Sequence, residues 1–166
     1  MSNSQDVKEF TEESTGKECP RIPICLDKDN VFFIIKMVIS ELDELACTVT
    51  ENKTEKNNLM SEAFSSRDEC NDFDHDSSVK KISAQADAMV DAWYYMLNVS
   101  AKHGMNLSEL FKVVHKANMD KKDPVTGRFI RRESDGKIVK PQGWSPPDVQ
   151  GEIKRQMKNG SWNTHN

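Results

Sequence analysis

The sequence has no long uninterrupted apolar run, no paired cysteine motif and no excess of basic residues. A membrane-spanning helix needs about 20 consecutive apolar residues, so we predict that the chain neither crosses nor binds a membrane. The formal net charge of −4 over 166 residues argues against a nucleic-acid-binding surface as the main function. This net charge does not exclude a small phosphate-binding pocket.

The few cysteines and the first residues of the chain favour a cytoplasmic protein. The four cysteines lie at positions 19, 25, 47 and 70 and show no C-x-x-C spacing. We therefore expect reduced thiols rather than disulfides. The N-terminus is polar and acidic, so we expect no signal peptide.

Composition divides the chain into one domain and two tails. A length of 166 residues is typical of a single domain. Residues 1–24 are polar with few aliphatic side chains, and we predict a disordered tail there. We predict a single all-α domain over 25–158, with an acidic linker or insertion at 51–79. Residues 159–166 are predicted to form a second tail.

The first apolar segment predicts a helix over roughly 29–50. It starts at Val31 and follows several possible N-cap residues. A buried strand over 31–39 is the competing interpretation. The apolar pattern continues at helical spacing as far as Leu45, and this length favours the helix.

Three later segments also follow helical spacing, and we predict helices over about 79–102, 107–121 and 147–158. The helix over 79–102 is apolar almost all round. Such a helix is central in its bundle or lies at a subunit interface. Gly104 is well placed to end it.

The segment after Pro124 breaks the helical pattern. Residues 128–132 and 137–140 predict a small β-hairpin with its turn at Asp135-Gly136. A lone hairpin is only marginally stable in water, so we expect it to pack on the helices. Trp144 is predicted to anchor the following extended segment on the core.

An acidic loop resembles the start of an EF-hand calcium site. Asp72, Asp74 and Asp76 have the spacing of its first ligands. The resemblance fails at Ser77, where the turn needs glycine, and at Ser83, where a bidentate Glu belongs. We therefore favour a solvated acidic loop.

Two acidic pairs are the strongest chemical signal in the sequence. Glu41 and Glu44 are spaced i, i+3 on the first predicted helix, and Asp87 and Asp91 are spaced i, i+4 on the second. Residues at these spacings share one helix face, with Cβ atoms about 5–6 Å apart. Like charges next to apolar turns are costly unless a basic side chain, solvent or a metal ion pairs with them.

If these two helices pack antiparallel, the four carboxylates face each other and a divalent cation relieves their repulsion. All-oxygen ligands select Mg²⁺ or Mn²⁺, and such an ion usually also binds substrate phosphates. The alternative is a pair of ordinary solvated helix faces. Several basic residues downstream are candidates to meet a polyphosphate, or else line an exposed hairpin: Lys121, Lys122, Arg128, Arg131, Arg132, Lys137 and Lys140.

The acidic motifs resemble those of a known superfamily. Glu41-Leu-Asp-Glu44, followed after a gap by Asp87-Ala-Met-Val-Asp91-Ala-Trp-Tyr-Tyr, is similar to the metal-binding signature of the all-α nucleoside triphosphate pyrophosphohydrolases. This MazG-like superfamily includes phosphoribosyl-ATP pyrophosphohydrolase and the dimeric all-α dUTPases.

The later motifs resemble the phosphoribosyl-ATP pyrophosphohydrolase-like branch. They are Val114-His-Lys-Ala-Asn-Met-Asp-Lys121, Gly127-Arg-Phe-Ile-Arg-Arg132, Asp135-Gly-Lys-Ile-Val-Lys140, Trp144 and Pro146-Pro-Asp148. Together with the acidic motifs, the likeness covers about 30–50 and 79–149.

The resemblance implies a MazG-like helical bundle, assembled as a homodimer or tetramer, that hydrolyses a nucleotide between its α- and β-phosphates. It implies that Glu41, Glu44 and Asp91 are catalytic Mg²⁺ ligands, with Asp87 a ligand or an acceptor beside them. It also implies substrate contacts from three residues: Asn118, Lys121 and Lys140.

The sequence departs from the superfamily at several positions. Many members carry acids where this chain has Ile39 and Ser40, and Ala88 stands at the usual Glu position of the second motif. The number of metal ions therefore stays open, and Glu62 or Glu69 is a candidate to supply a further acid.

We predict a Mg²⁺-dependent house-cleaning enzyme that converts dUTP, another dNTP or a non-canonical NTP to the monophosphate and pyrophosphate. One alternative is a catalytically silent helical module that binds nucleotides or a partner protein. Another is a phosphoribosyl-ATP pyrophosphohydrolase. No residue pattern fixes the base or the sugar.

Overall fold

The structure, a computed structural model, describes residues 2–71, 73 and 75–162. These residues form six α-helices: α1 (Asn3–Thr15), α2 (Lys28–Cys47), α3 (Lys53–Ser66), α4 (Ser78–Lys102), α5 (Leu107–Met119) and α6 (Val149–Asn159). The predicted all-α fold is confirmed, and α2, α4, α5 and α6 coincide with the four helices expected from apolar spacing. Over the described ranges, none of the helices is both long and apolar enough to cross a bilayer.

Packing divides the chain into two compact units. The α1/α5/α6 unit comprises the chain up to Ile22 and the chain from Met89 onward, and the α2/α3 unit is Pro23–Ala88. Helix α4 therefore contributes its first part to the α2/α3 unit and its remainder to the α1/α5/α6 unit. The linker predicted at 51–79 contains α3. The single domain over 25–158 stays a prediction.

Polar links hold the α2/α3 unit together. Helix α2 starts at its N-cap Asp27, whose carboxylate accepts a hydrogen bond from a backbone N–H of the first turn. Just before this cap, the Gln85 side chain of α4 hydrogen-bonds both the N–H and the C=O of Leu26, each at 2.9 Å. Lys56 of α3 pairs with Asp43 of α2 at 2.6 Å. These contacts fix both ends of α2.

In the α1/α5/α6 unit, α6 is joined to the start of α5 by a buried amide. Gln156 is only 4% exposed. It accepts from the Asn106 N–H at 2.9 Å and donates to the Asn106 carbonyl at 3.2 Å. Hydrogen bonds from Arg155 and Gln156 lower the pKa of Glu152 to about 2. Glu152 thus stays ionised and keeps both donors oriented.

Helix α1 corrects one prediction. Residues 3–15 are helical, so the disordered tail expected over 1–24 is wrong for this part. Local signals were present at both ends. The Ser2 hydroxyl caps the first turn, and Gly16 ends the helix with a φ of 67°, a left-handed conformation that favours glycine.

Side-chain contacts with distant residues hold α1 in place. The rings of Phe10 and Phe129 meet edge to face with centroids 5.3 Å apart. Arg131 Nε donates to a backbone carbonyl in the last turn of α1 at 2.9 Å, and Lys122 forms an ion pair with Glu13. Because these partners lie more than a hundred positions away in the sequence, local composition did not reveal them.

The β-hairpin predicted over 128–140 is not confirmed. In the described part of the chain this region forms no strand, only isolated antiparallel bridges: Lys122 with Phe129 and Arg131 with Ile138. Ile130 and Val139 are 48% and 41% exposed. A ladder without a buried face has little to stabilise it, so pairing stops after single bridges.

Several predictions fall partly outside the described residues. Asp72 and Asp74 of the calcium-like loop lie outside them, and so do residues 163–166 of the second predicted tail. Asp76 is described and pairs with Lys80 at 3.0 Å. An ion pair is an ordinary role for an acidic residue in a solvated loop.

We predict that Phe10→Ala loosens α1 from its unit. Losing the ring contact should lower the free energy of opening this helix by about 1–3 kcal/mol. Hydrogen exchange measured by mass spectrometry should become faster over residues 3–15. Val7→Ala, at a side chain 47% exposed, is the control and should change little. Unchanged exchange in Phe10→Ala would contradict the docking of α1.

Candidate functional site

The first acidic pair lies on an exposed face of α2. Glu41 and Glu44 are both exposed, and within the described residues neither forms an ion pair or a side-chain hydrogen bond. Asp43, between them, differs because Lys56 neutralises it. Of these three carboxylates, only Asp43 is engaged in an ion pair.

The second acidic pair lies one turn apart on α4. Asp87 belongs to the α2/α3 unit and Asp91 to the α1/α5/α6 unit, and both are exposed. Neither has a basic partner in the described part of the chain. Water therefore solvates both carboxylates, and no described basic side chain competes with a cation for them.

The structure does not bring three of the predicted metal ligands together. Among residues 2–71, 73 and 75–162, no group of three His, Cys, Asp or Glu side chains lies close enough to hold a metal ion. Glu41, Glu44 and Asp87, which belong to the same compact unit, therefore form no such group. Of the two further candidates, Glu69 lies 3.7 Å from Arg67, and Glu62 joins no such group. The donor chemistry still fits a hard cation, because every candidate atom is a carboxylate oxygen.

The three predicted substrate-binding residues do come together, and they surround a tryptophan. Lys121 Nζ donates to Asn118 Oδ1 at 2.6 Å. Lys140 Nζ lies 4.3 Å from the centroid of the Trp144 ring, and Lys121 Nζ lies 5.6 Å from it. We call Asn118, Lys121, Lys140 and Trp144 the lysine–tryptophan cluster.

The cluster is built where the chain returns to the end of α5. The last carbonyls of a helix lack partners within the helix, and the carbonyl of Ala117 accepts from Trp144 Nε1 at 2.7 Å. A tight turn precedes the tryptophan: its N–H bonds to the Pro141 carbonyl at 3.1 Å, and Gly143 has a φ of 82°. This turn needs glycine, and it directs the indole back onto α5.

The cluster carries positive charge that no acid compensates. The neighbouring Lys116 and Lys122 each pair with a carboxylate. Lys121 and Lys140 have no such partner among the described residues. Burial, and then the positive charge of Lys140, lower the pKa of Lys121 below its ordinary 10.5. Two adjacent ammonium groups, neither of which forms an ion pair with a described residue, favour an anionic ligand.

An open cavity of about 380 Å³ lies beside the two lysines. Besides the ammonium groups, the wall contains apolar side chains such as Val125 and Ile130 and one acidic residue, Asp123. The Asp123 carboxylate accepts hydrogen bonds from the N–H groups of Val125 and Thr126. Its size is within the range of small-molecule pockets, about 300–1,000 Å³. The cavity therefore presents two ammonium groups, one carboxylate and apolar surface to a ligand.

Other basic candidates have structural roles. Arg131 donates to α1 and to the Gly136 carbonyl, and Arg132 pairs with Asp135 at 2.6 Å. Lys122 is paired with Glu13. Sequence reasoning also missed how Trp144 contributes to the site. It predicted an anchor on the core, and the indole hydrogen bond confirms that role, but the approach of two lysines to the ring depends on the fold.

Comparisons with known proteins identify a similar structure. No family model matches the chain, and no curated protein sequence matches it significantly. The chain is similar to the crystal structure of a "putative NTP pyrophosphohydrolase" from Exiguobacterium sp. 255-15, with 29% sequence identity and a TM-score of 0.77. The match covers 95% of this chain and 97% of that one. The two proteins therefore share their fold over nearly their whole lengths.

We predict that the two lysines of the cluster titrate as neighbours. Lys140→Met should raise the pKa of Lys121 towards 10.5, because it removes one of the two causes of its lowering. Burial remains, so the recovery should be partial. A pH titration by NMR with ¹³C-labelled lysine measures this pKa.

Lys154→Met is the matched control for that titration. Lys154 is an exposed lysine of α6, so its loss should leave the Lys121 titration unchanged. If the Lys121 pKa does not move in Lys140→Met, the two ammonium groups are not close in solution.

Proposed function

We propose that the protein is a Mg²⁺-dependent nucleotide pyrophosphohydrolase of the MazG-like superfamily. It cleaves a nucleoside triphosphate between the α- and β-phosphates and releases the monophosphate and pyrophosphate. The observation that carries the proposal is the lysine–tryptophan cluster, where two lysines that form no ion pair within the described part of the chain line one cavity, together with Asp123. The structural likeness to the Exiguobacterium protein supports it. Candidate substrates are dUTP, other dNTPs and non-canonical NTPs.

In this proposal Glu41, Glu44 and Asp91 are the catalytic metal ligands, and Asp87 assists them. Their carboxylates are exposed and no described residue neutralises them, which suits Mg²⁺, with Mn²⁺ as a possible substitute. When bound there, a Mg²⁺ ion would supply charge neutralisation for the phosphates and Lewis-acid polarisation of a phosphoryl oxygen.

Lys121 and Lys140 bind the phosphate chain of the substrate. A triphosphate carries several negative charges, and ammonium donors form strong charge-assisted hydrogen bonds with its oxygens. Asn118 orients Lys121 through the 2.6 Å hydrogen bond, so one donor is already directed before the substrate arrives. Binding also relieves the repulsion between the two ammonium groups.

A second candidate function is a catalytically silent nucleotide-binding module. The observation in its favour is that no three acidic side chains among the described residues gather to hold a metal. Such a module would bind nucleotides through the lysine–tryptophan cluster without turnover. Thermal stabilisation by nucleotide, with no pyrophosphate released in Mg²⁺ or Mn²⁺, would identify it.

We further propose that the chain acts as a homodimer or tetramer in the cytoplasm. Large side chains on α2 and α4 remain exposed: Phe32 66%, Phe33 61%, Leu45 63%, Tyr94 66% and Tyr95 69%. Single exposed apolar residues are ordinary, but several together on two helices are typical of protein–protein interfaces. A second copy of the chain is the partner that we propose for these faces.

We predict that Glu44→Gln and Asp91→Asn each lower pyrophosphate release by about 100-fold or more, because each removes a charged metal ligand. Release should be measured with Mg²⁺ on dUTP, dCTP, ITP and phosphoribosyl-ATP, which also identifies the substrate. Asp43→Asn is the matched control, because this neighbouring carboxylate is engaged by Lys56. Full activity in Glu44→Gln or Asp91→Asn protein would refute the metal assignment.

We predict that Tyr95→Glu shifts the protein towards the monomer. A charge in an apolar interface must be desolvated without a partner, which costs several kcal/mol. Light scattering coupled to size-exclusion chromatography measures the mass. Met157→Glu, at an exposed residue on a polar helix, should leave the mass unchanged. A monomeric unaltered protein would contradict the proposed assembly.

A further inference from the structure

The two lysines of the lysine–tryptophan cluster lie close together without an acid to hold them. In this region of the chain a carboxylate is the usual partner of a lysine, as for Lys116 with Asp120 and Lys122 with Glu13. Asn118 Oδ1 accepts from Lys121 Nζ at 2.6 Å, whereas among the described residues no hydrogen bond or ion pair holds Lys140 against the repulsion of Lys121. The group that both approach is the Trp144 ring.

The position of this ring does not depend on a ligand. Trp144 Nε1 donates to the Ala117 carbonyl at 2.7 Å, and the turn from Pro141 fixes its backbone. Trp144 is partly buried. The indole is thus a rigid support, whereas a lysine side chain has four rotatable bonds.

The ring attracts the ammonium groups without neutralising them. A cation within about 6 Å of an indole centroid is attracted by the negative face of the ring, and Lys140 Nζ lies 4.3 Å away. A carboxylate in the same place would hold the lysine equally well, but it would cancel the charge that a phosphate needs. A neutral aromatic ring keeps that charge available.

We propose that Trp144 is a positioning residue for polyphosphate binding, which holds Lys140 beside Lys121 through the face of its indole. This inference rests on the proposed function, because it names how the same cluster receives the phosphate chain. Trp144 itself needs no contact with the phosphates. Trp144 therefore raises the affinity for polyphosphate only when Lys140 is present.

The test is a double-mutant cycle on binding of inorganic tripolyphosphate, measured by calorimetry in EDTA. Trp144→Leu should weaken binding about fivefold, the range of a partly desolvated cation–π contact. Trp144→Phe keeps a ring face but loses the Nε1–H bond to Ala117, so its affinity should lie between those of the unaltered protein and Trp144→Leu. In a Lys140→Met background, where no ammonium group remains at that position, adding Trp144→Leu should change binding by less than about twofold.

Trp162→Leu is the matched control, because it makes the same chemical change at a tryptophan that is 59% exposed. It should leave binding unchanged. Thermal unfolding checks that each variant is folded. If Trp144→Leu does not fold, Trp144→Phe still decides, because it should bind clearly better than Lys140→Met.

Several results would overturn the inference. One is that the unaltered protein does not bind tripolyphosphate, and another is that Trp144→Leu leaves the affinity unchanged. A third is that Trp144→Leu lowers the affinity equally with and without Lys140. A fourth is that Trp144→Phe binds as weakly as Trp144→Leu. An equal loss in both backgrounds would mean that the indole only supports the fold. The assay contains neither metal nor nucleotide. The effects of Trp144→Leu and Lys140→Met on tripolyphosphate affinity could therefore be non-additive in a protein that hydrolyses no nucleotide. That result would reject the proposed enzymatic function but support the proposed role of Trp144.

Discussion

The hydrogen bond from the Trp144 indole to the Ala117 carbonyl is the constraint on which the candidate site depends. The chain leaves α5 at Met119 and continues through a segment that has only isolated bridges. Turn hydrogen bonds order this segment internally, such as those from Asp123 N–H to the Arg128 carbonyl and from Val139 N–H to the Ile130 carbonyl, both at 2.8 Å. The indole bond returns it to a carbonyl at the end of α5, so Lys140 meets Lys121 because the backbone between them is anchored at both ends.

Charge is left uncompensated at the positions where chemistry is proposed. Glu41, Glu44, Asp87 and Asp91 are exposed without basic partners among the described residues, and Lys121 and Lys140 lack acidic ones. Elsewhere, as at Asp43 with Lys56 or Glu152 with Arg155, opposite charges pair in the ordinary way. Burial, and then the positive charge of Lys140, lower the pKa of Lys121 below its ordinary value. Perturbed titratable groups of this kind are typical of functional sites.

The sequence predicted elements that depend on local pattern and failed where distant contacts decide. Helix α2 follows from its apolar run and the Asp27 cap, and α5 from its spacing and the Asn106 cap. Helix α1 was missed because its stability depends on Phe129 and Arg131, far along the chain. The hairpin was over-predicted because alternation alone does not bury Ile130 or Val139. The lysines were suggested by family resemblance, whereas the contact of both with Trp144 required the fold.

The central claim is that the chain cleaves nucleoside triphosphates between the α- and β-phosphates. The most direct measurement is ³¹P NMR of dUTP or another accepted triphosphate incubated with the protein and Mg²⁺. We predict that resonances of the nucleoside monophosphate and of pyrophosphate grow together in equal amounts. Growth of nucleoside diphosphate and orthophosphate would contradict it, and so would an unchanged spectrum across the whole set of triphosphates and phosphoribosyl-ATP.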